Sequence, residues 1–284
     1  MLRNITNSLP PRLRSSMGSL RRRLRAYSSA LFCPVCERGV ERFNPLSVHY
    51  LDEWNRHGHE SGGYETCNVE SYSCPVCGAS DRDRLYALYL RERLPRHPKS
   101  PFVLIDFAPS EPLSSHIKRN YAVTYRSADL CMPGVDDHVD LTNMDIYQEA
   151  SFDAFICSHV LEHVQDDTKA MAELYRILKP GGWGITMAPI SSGASGHRED
   201  PSKRTESERW KFFGQGDHVR LYSKEVFVNR LETAGFTVSG LNIEHFGGDR
   251  VRRRCGLAST TVLYVSQKRA VAKSAKAYCD IYRH

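Results

Sequence analysis

Two cysteine pairs with the same local sequence are the residues best suited to chemistry. They are Cys33-Pro-Val-Cys36 and Cys74-Pro-Val-Cys77, separated by 37 residues. A two-residue gap brings both thiolates of a pair to one side of a tight turn, where they can occupy two corners of a tetrahedron around Zn²⁺. Two pairs complete the shell, so these four cysteines predict a closed, structural zinc site with no open position for a reaction.

The other cysteines do not form a pattern. The chain has nine in total, and an odd number without a secretory leader favours metal binding or free thiols over disulfides, with a reducing compartment such as the cytoplasm as the default. Between the two pairs, His49 and Cys67 are the alternative ligands, and a redox dithiol is the alternative chemistry. Residues 31–95 are therefore predicted to form a small zinc-ribbon-like module, ending in a linking helix over 81–95.

Positive charge is concentrated at the start of the chain. The net charge is +6, but residues 1–30 carry seven arginines and no acid, so the remaining residues sum to −1. A nearly neutral body lacks the basic face of a dedicated nucleic-acid binder. Three interpretations of this arm stay open: a solvated tail, an amphipathic helix on an anionic membrane or nucleic acid, and an organellar transit peptide.

The chain after residue 101 has the pattern of apolar and polar residues that is typical of an α/β domain. Prolines near 96–101 mark a boundary, and a domain is predicted over 102–268, followed by a tail over 269–284. Strands and helices alternate, which predicts a mostly parallel sheet with ligands at the carboxyl ends of its strands. The predicted strands cover 102–105, 122–125, 152–157, 182–190, 236–243 and 260–265, the predicted helices cover 113–119, 166–178 and 224–235, and a basic turn covers 247–254. No stretch is long and apolar enough to span a membrane.

Residues 151–183 (SFDAFICSHVLEHVQDDTKAMAELYRILKPGGW) resemble the fourth strand, the following helix and the LKPGG turn of class I S-adenosylmethionine-dependent methyltransferases of type 11. The resemblance extends over about 102–268. It implies a Rossmann-like sheet with helices on both faces, S-adenosylmethionine as cofactor and methyl transfer as the reaction. Pro180 is expected to end the helix, and Gly181 and Gly182 are expected to supply the turn into the next strand.

The resemblance also implies cofactor-binding positions at the strand ends. Asp106 corresponds to the acid near the cofactor's amino group, Asp129 to the acid on the ribose, and Asp140 to the residue facing the adenine. The remaining implied contacts are Ala108 and Ser110 in the usual glycine-rich loop, Leu141 beside the ring, and Ser158. Each acid has an alternative role as a turn or helix-cap residue. The short spacing from 129 to 140 predicts a loop where a helix would normally lie.

Histidines surround the end of the fourth strand. His159 follows the strand directly, and the resemblance places it where it can orient an acceptor or accept its proton. If a helix has begun there, His159, Glu162 and His163 share one face and look like a metal site. We interpret His163 instead as a residue that caps or packs the start of that helix.

Acceptor contacts are expected in the long polar insertion over residues 191–222, with His218 and Arg220 as the predicted substrate-binding residues. The leading hypothesis for the acceptor is a small molecule or a glycan. RNA is the alternative because of the basic arm and the zinc module. A third hypothesis, a zinc-dependent scaffold without catalysis, rests on the absence of glycine from the cofactor loop.

Overall fold

The computed structural model describes residues 30–59, 63–94, 100–191 and 196–270. The basic arm lies outside the described residues except for Ala30, and the predicted tail lies outside them except for its first two residues. Within these ranges, no helix is both long enough and apolar enough to cross a membrane.

Strands and helices alternate through most of the described chain. The strands are β1 (Leu31–Cys33), β2 (Arg38–Val40), β3 (Val103–Phe107), β4 (Thr124–Asp129), β5 (Asp137–His138), β6 (Phe152–Ser158), β7 (Leu178–Met187), β8 (Arg198–Glu199), β9 (Arg220–Leu221), β10 (Thr237–Asn242) and β11 (Val262–Gln267). The helices are α1 (Val48–His57), α2 (Asp81–Arg93), α3 (Glu111–Asn120), α4 (Asp167–Ile177), α5 (Glu206–Phe213), α6 (Lys224–Thr233) and α7 (Gly248–Cys255), with a 3₁₀ turn at Ile243–Phe246.

Seven of these strands form the central sheet, in the order β10-β11-β7-β6-β3-β4-β5. The five strands from β7 to β5 are parallel, and β11 runs antiparallel to both of its neighbours. The predicted α/β, Rossmann-like fold is therefore confirmed. After β3 the chain first builds the sheet toward β5 and then returns to β6 on the other side, so the strand order reverses between β3 and β6. A ligand-binding crevice forms at such a reversal, outside the carboxyl ends of the strands.

Burial patterns explain why these segments adopt their structures. β3 and β6 are almost continuously buried, as expected for central parallel strands covered on both faces. In α4, Ala170, Met171, Leu174 and Ile177 are buried at helical spacing, and Asp166 caps the first turn by accepting a hydrogen bond from the Lys169 amide. The predicted helix over 166–178 thus forms with nearly the expected bounds.

The LKPGG segment follows the prediction only at Gly181, whose positive φ of 82° gives the left-handed turn. The helix already ends at Ile177, and Leu178 begins β7, so Pro180 does not terminate the helix. Leu178 pairs with Phe152 and Trp183 pairs with Ala154, so the residues between them bulge out of the strand. The predicted basic turn over 247–254 was also wrong: this segment is helix α7, closed by Gly256 in a left-handed conformation.

Helix α2, predicted as a linker, lies inside the main core. Its side chains, among them Leu85, Tyr86 and Leu90, are buried with the residues of the central sheet. Ser80 and Asp83 form a capping box at its start. Burial around most of the helix explains why its sequence is only weakly amphipathic. The domain boundary near 96–101 stays a prediction. In the structure, helix α2 packs against both the cysteine region and the central sheet.

Arg84 on α2 joins the cysteine region to the end of α7. Its side chain is fully buried and donates hydrogen bonds of 2.5–3.0 Å to five backbone carbonyls. The carbonyls belong to Ser71, Tyr72, Ala79, Cys255 and Gly256. The guanidinium also lies 3.9 Å from the centre of the Phe43 ring. These contacts hold the segment around the second cysteine pair against the main domain.

Candidate functional site

The four predicted zinc ligands converge. The Sγ atoms of Cys33 and Cys77 are 3.8 Å apart, those of Cys36 and Cys74 are 3.9 Å apart, and all four lie within 4.8 Å of one another. Zn–S bonds of about 2.3 Å require S···S edges of about 3.8 Å in a tetrahedron, so the donor set fits a four-thiolate zinc site. Cys67 belongs to a different cluster, beside Trp54 and Trp210.

The first part of the predicted cofactor crevice lies at the end of β3. Asp106 is buried, and the Tyr125 hydroxyl donates a hydrogen bond of 2.8 Å to its carboxylate. Burial raises the pKa of Asp106 to about 7, although the Tyr125 hydrogen bond opposes this shift. Ala108 has a φ of 50°, so the backbone keeps the left-handed conformation that glycine would favour at this point of the loop.

Ser110 caps α3, as its position at the start of that helix requires. Its hydroxyl accepts a hydrogen bond from the Leu113 amide and donates one of 2.8 Å to Asp83 of α2. At the neighbouring strand, the Ser158 hydroxyl lies 2.7 Å from the hydroxyl of Tyr86, also on α2. Helix α2 therefore borders the crevice and bonds to two of the residues predicted to bind the cofactor.

Asp129 and Asp140 both hold turns through Oδ1. Asp129 accepts hydrogen bonds of 2.7 Å from the amides of Cys131 and Met132, and Asp140 accepts one of 2.7 Å from Thr142. Both acids therefore act as turn residues, which is the alternative role given above. This role is compatible with a ligand contact through Oδ2, because the hydrogen bonds within the turns use Oδ1. Leu141 is buried, and turns rather than a helix connect β4 to β5, as the short spacing predicts.

His159 stands immediately after β6 with a strained, positive φ of 57°. Its amide donates to the Met187 carbonyl, and its Nδ1 lies 3.2 Å from Oε1 of Glu162. Burial and the nearby Arg82 cation lower the pKa of His159 to about 4, which keeps the imidazole neutral at pH 7. The nearby carboxylate favours the tautomer that carries its proton on Nδ1, which leaves Nε2 as the basic nitrogen.

Glu162 is 1% exposed, and neither of its carboxylate oxygens has a hydrogen-bond partner of good geometry among the described residues. Burial opposes its ionisation, but the adjacent histidines lower its pKa to about 2. Residues 160–164 form turns, and α4 begins only at Asp167, so His163 does not pack against a helix start as expected. Instead its ring lies 4.8 Å from the ring of His218.

A cavity of about 240 Å³ opens beside these residues. His159, Glu162 and Ala188 place it at the carboxyl ends of β6 and β7, and His218 of the insertion closes one side. Aromatic side chains from the segment between the cysteine pairs cover the other side: Tyr50, Trp54, Tyr64 and Tyr72. This segment is tied to the insertion, since Trp54 Nε1 donates a 2.9 Å hydrogen bond to the Gly214 carbonyl.

The structure separates the two residues predicted to contact the acceptor. His218 is buried and lines the cavity. Arg220 is 1% exposed and is absent from the cavity wall, because all of its donors are engaged elsewhere. Nε and Nη2 donate to Glu199, and the other bonds go to the backbone carbonyls of Leu161, Val164 and Gln165. We therefore describe Arg220 as a residue that holds the segment around Glu162.

Several cavity residues were missed by sequence reasoning. Arg82 lines the cavity and donates a hydrogen bond of 3.2 Å to the Tyr72 hydroxyl. Glu162 was discounted, although it is the most deeply buried acid of the site. The signal available in the sequence was the density of aromatic residues between the cysteine pairs, which exceeds what a small metal module needs for its own core.

The sequence was compared with models of protein families and with known proteins. Residues 109–186 match a methyltransferase domain. The matched segment runs from the loop after β3 almost to the end of β7, so it contains the predicted cofactor-binding residues from Ser110 to Ser158 and also His159. A comparison with curated proteins found no match.

Three solved structures are among those to which this chain is similar. An S-adenosylmethionine-dependent methyltransferase from Archaeoglobus fulgidus is 12% identical, with a TM-score of 0.42 over 66% of this chain and 94% of that one. The Burkholderia thailandensis 1,6-didemethyltoxoflavin-N1-methyltransferase, solved with 1,6-didemethyltoxoflavin and S-adenosylhomocysteine, is 13% identical, with a TM-score of 0.40 over 60% and 72%. The [4+2]-cyclase SpnF is 15% identical, with a TM-score of 0.45 over 81% and 100%.

Proposed function

We propose that this protein transfers a methyl group from S-adenosylmethionine to a small-molecule or glycan acceptor. The observation that carries the proposal is the cavity at the ends of β6 and β7, where His159 and Glu162 lie next to the crevice beyond β3. The match of residues 109–186 to a methyltransferase domain supports the reaction class. The zinc site is proposed as structural, because four thiolates leave no position for a substrate.

The crevice residues suit S-adenosylmethionine, which supplies an electrophilic methyl group when it is bound. We assign Asp106 to the amino group, Asp129 to the ribose hydroxyls, and Asp140 with Leu141 to the adenine. The left-handed backbone at Ala108 gives the loop after β3 the course that a glycine would give it. Ser110 and Ser158 complete the proposed cofactor contacts.

His159 is the proposed catalytic residue. Its neutral imidazole can accept a proton at Nε2 from an acceptor hydroxyl or amine, while the Glu162 carboxylate orients the ring through Nδ1 and stabilises the cation that forms. The remaining task of the protein is to align the acceptor with the methyl group and to exclude water. Arg82 and the tyrosine hydroxyls of the cavity provide donors for that alignment.

The shape of the cavity favours a small acceptor over RNA. The space is walled by the side chains of Tyr50, Trp54 and Tyr64, so it suits a planar or ring-shaped molecule that packs against aromatic faces. RNA recognition depends on many phosphate contacts from a basic surface, and the chain outside the arm carries a net charge of −1.

Calorimetric titration of the zinc-loaded, full-length protein tests the cofactor assignment. S-adenosylmethionine and S-adenosylhomocysteine should both bind, and Asp140→Ala should weaken binding by about 10- to 100-fold, the cost of one hydrogen bond to a charged group. Asp145→Ala is the matched control, because it removes an exposed carboxylate from the same loop. Absence of binding by the wild-type protein would favour the scaffold hypothesis.

A further inference from the structure

Glu162, His163 and His218 converge on one point at the edge of the cavity. Each offers one ligand atom, and these atoms lie within 4.8 Å of one another. His218 comes from the insertion, 55 positions after His163, so the three groups are brought together by the tertiary structure. Nε2 of His218 lies 4.0 Å from Oε1 of Glu162, and the two imidazole rings meet edge to face.

Three polar atoms of this cluster lack a hydrogen-bond partner of good geometry among the described residues. Glu162 and His218 are both more than nine-tenths buried, and neither carboxylate oxygen of Glu162 nor Nδ1 of His218 has a hydrogen-bond partner of good geometry among the described residues. A buried carboxylate without partners costs several kcal/mol, so such groups are normally paired or bound to a metal. The 3.2 Å contact with His159 Nδ1 engages one edge of the carboxylate and leaves Oε2 free of it.

We propose that Glu162, His163 and His218 bind one divalent transition-metal ion, separate from the four-cysteine zinc site. Two imidazoles and one carboxylate suit Zn²⁺, Fe²⁺, Co²⁺ or Ni²⁺ better than Mg²⁺ or Ca²⁺, which prefer oxygen ligands. Ligand bonds of about 2.1 Å place donor atoms about 3.0–3.4 Å apart, so the cluster must contract by roughly 1–1.5 Å. His163 is one-third exposed and has room to turn toward the ion.

The surroundings of the cluster fit a metal that also meets a substrate. The Asp217 carboxylate lies 3.4 Å from Nδ1 of His163, and carboxylates in such positions commonly orient a metal-bound imidazole. Three protein ligands leave coordination positions open, and all three residues line the cavity. An acceptor oxygen could occupy an open position, with His159 beside it. Metal binding by these three residues does not require methyl transfer, so it can be tested separately from the proposed function.

Metal stoichiometry tests the proposal. Full-length protein is stripped with a chelator, reloaded with Co²⁺, desalted and analysed for bound metal by mass spectrometry. We expect two equivalents in the wild type and one in His163→Ala and Glu162→Gln. The exposed His138 provides the matched control, and His138→Ala should keep both equivalents. The thiolate-to-cobalt charge-transfer absorption of the cysteine site should remain in every variant.

The outcomes separate this proposal from the proposed function. Loss of one equivalent with unchanged calorimetric binding of S-adenosylhomocysteine supports the metal site whatever the reaction proves to be. If His163→Ala, shown to be folded by circular dichroism, binds as much Co²⁺ as the wild type, the metal site is wrong. Because Glu162 is buried and its variant could unfold, the partly exposed His163 provides the deciding measurement.

Discussion

Arg220 allows the clearest test of how the insertion holds the site. Its guanidinium donates to Glu199 and to three carbonyls of residues 161–165, and it lies 3.7 Å from Asp167. Arg220→Lys keeps the charge but replaces five donors in a planar fork with three donors on one nitrogen. At least two buried acceptors then lose their partner, at about 1–3 kcal/mol each.

We therefore expect Arg220→Lys to lower the free energy of unfolding by about 2–6 kcal/mol, the sum for two unpaired acceptors. At roughly 2 °C per kcal/mol for a chain of this size, the melting temperature should fall by about 4–12 °C. Differential scanning calorimetry measures this shift. Arg204→Lys is the matched control, since Arg204 lies exposed in the same insertion and should change the melting temperature by less than about 2 °C.

The opposite result is equally informative. If Arg220→Lys melts within about 2 °C of the wild type, the buried network does not hold residues 161–165, and the reasoning from its hydrogen bonds is refuted. If the expected loss of stability appears, the carbonyl segment beside Glu162 is held in place by a residue outside the cavity.

Three further measurements follow from individual contacts. Burial opposes ionisation of Glu199, but Arg230, Arg220 and His197 lower its pKa to about 2. This carboxylate therefore contributes stability above pH 4.5 that is lost as the pH falls toward 2. Urea unfolding at pH 3 and pH 6 should show the loss. Because the pKa of Asp106 is raised to about 7, its charged form grows between pH 6 and pH 8, and calorimetric affinity for S-adenosylhomocysteine should increase over that interval. In Gly184→Ala the new Cβ would lie 2.2 Å from the Phe155 ring, so unfolding free energy should fall by about 1–3 kcal/mol.

Each of these predictions has a contrary outcome. If the wild type and Glu199→Gln have equal urea midpoints at both pH values, Glu199 makes no acid-dependent contribution to stability, and the prediction is wrong. A pH-independent affinity, or one that weakens toward pH 8, would contradict the assignment of Asp106 to the cofactor's amino group. Gly240→Ala is the comparison for the glycine variant, because its Cβ would meet the partly exposed Val262 at 3.3 Å, a much milder overlap.

Much of the central sheet could be predicted from local patterns. Continuous apolar runs indicated β3 and β6, and helical spacing of apolar residues indicated α4 with nearly correct bounds. Helix α7 was missed because it is short and its run of arginines leaves only Val251 and Cys255 as an apolar face. The LKPGG segment was misread at the proline, since a strand can tolerate a proline at a bulge.

The candidate site was only partly predictable. The spacing within each cysteine pair and its repetition were enough to predict that four thiolates would meet, and the structure brings their sulfur atoms within 4.8 Å. The strand-end positions of two predicted site residues could be read from the sequence. Asp106 is the penultimate residue of β3 and His159 directly follows β6, so the sheet fixes where both lie. Arg220 was assigned to the acceptor because a charged side chain in a long loop gives no local sign of being buried.

The sequence by itself determined the elements whose signals are short-ranged: the two cysteine turns, the alternation of strands and helices, and the residues at strand ends. Side-chain periodicity and turn chemistry act between neighbours, so they can be read along the chain. Only the tertiary structure decided that α2 enters the core, that aromatic residues near the cysteines wall the cavity, and that His218 meets Glu162 and His163. These contacts join segments tens of residues apart, and their geometry follows from packing that no local pattern encodes.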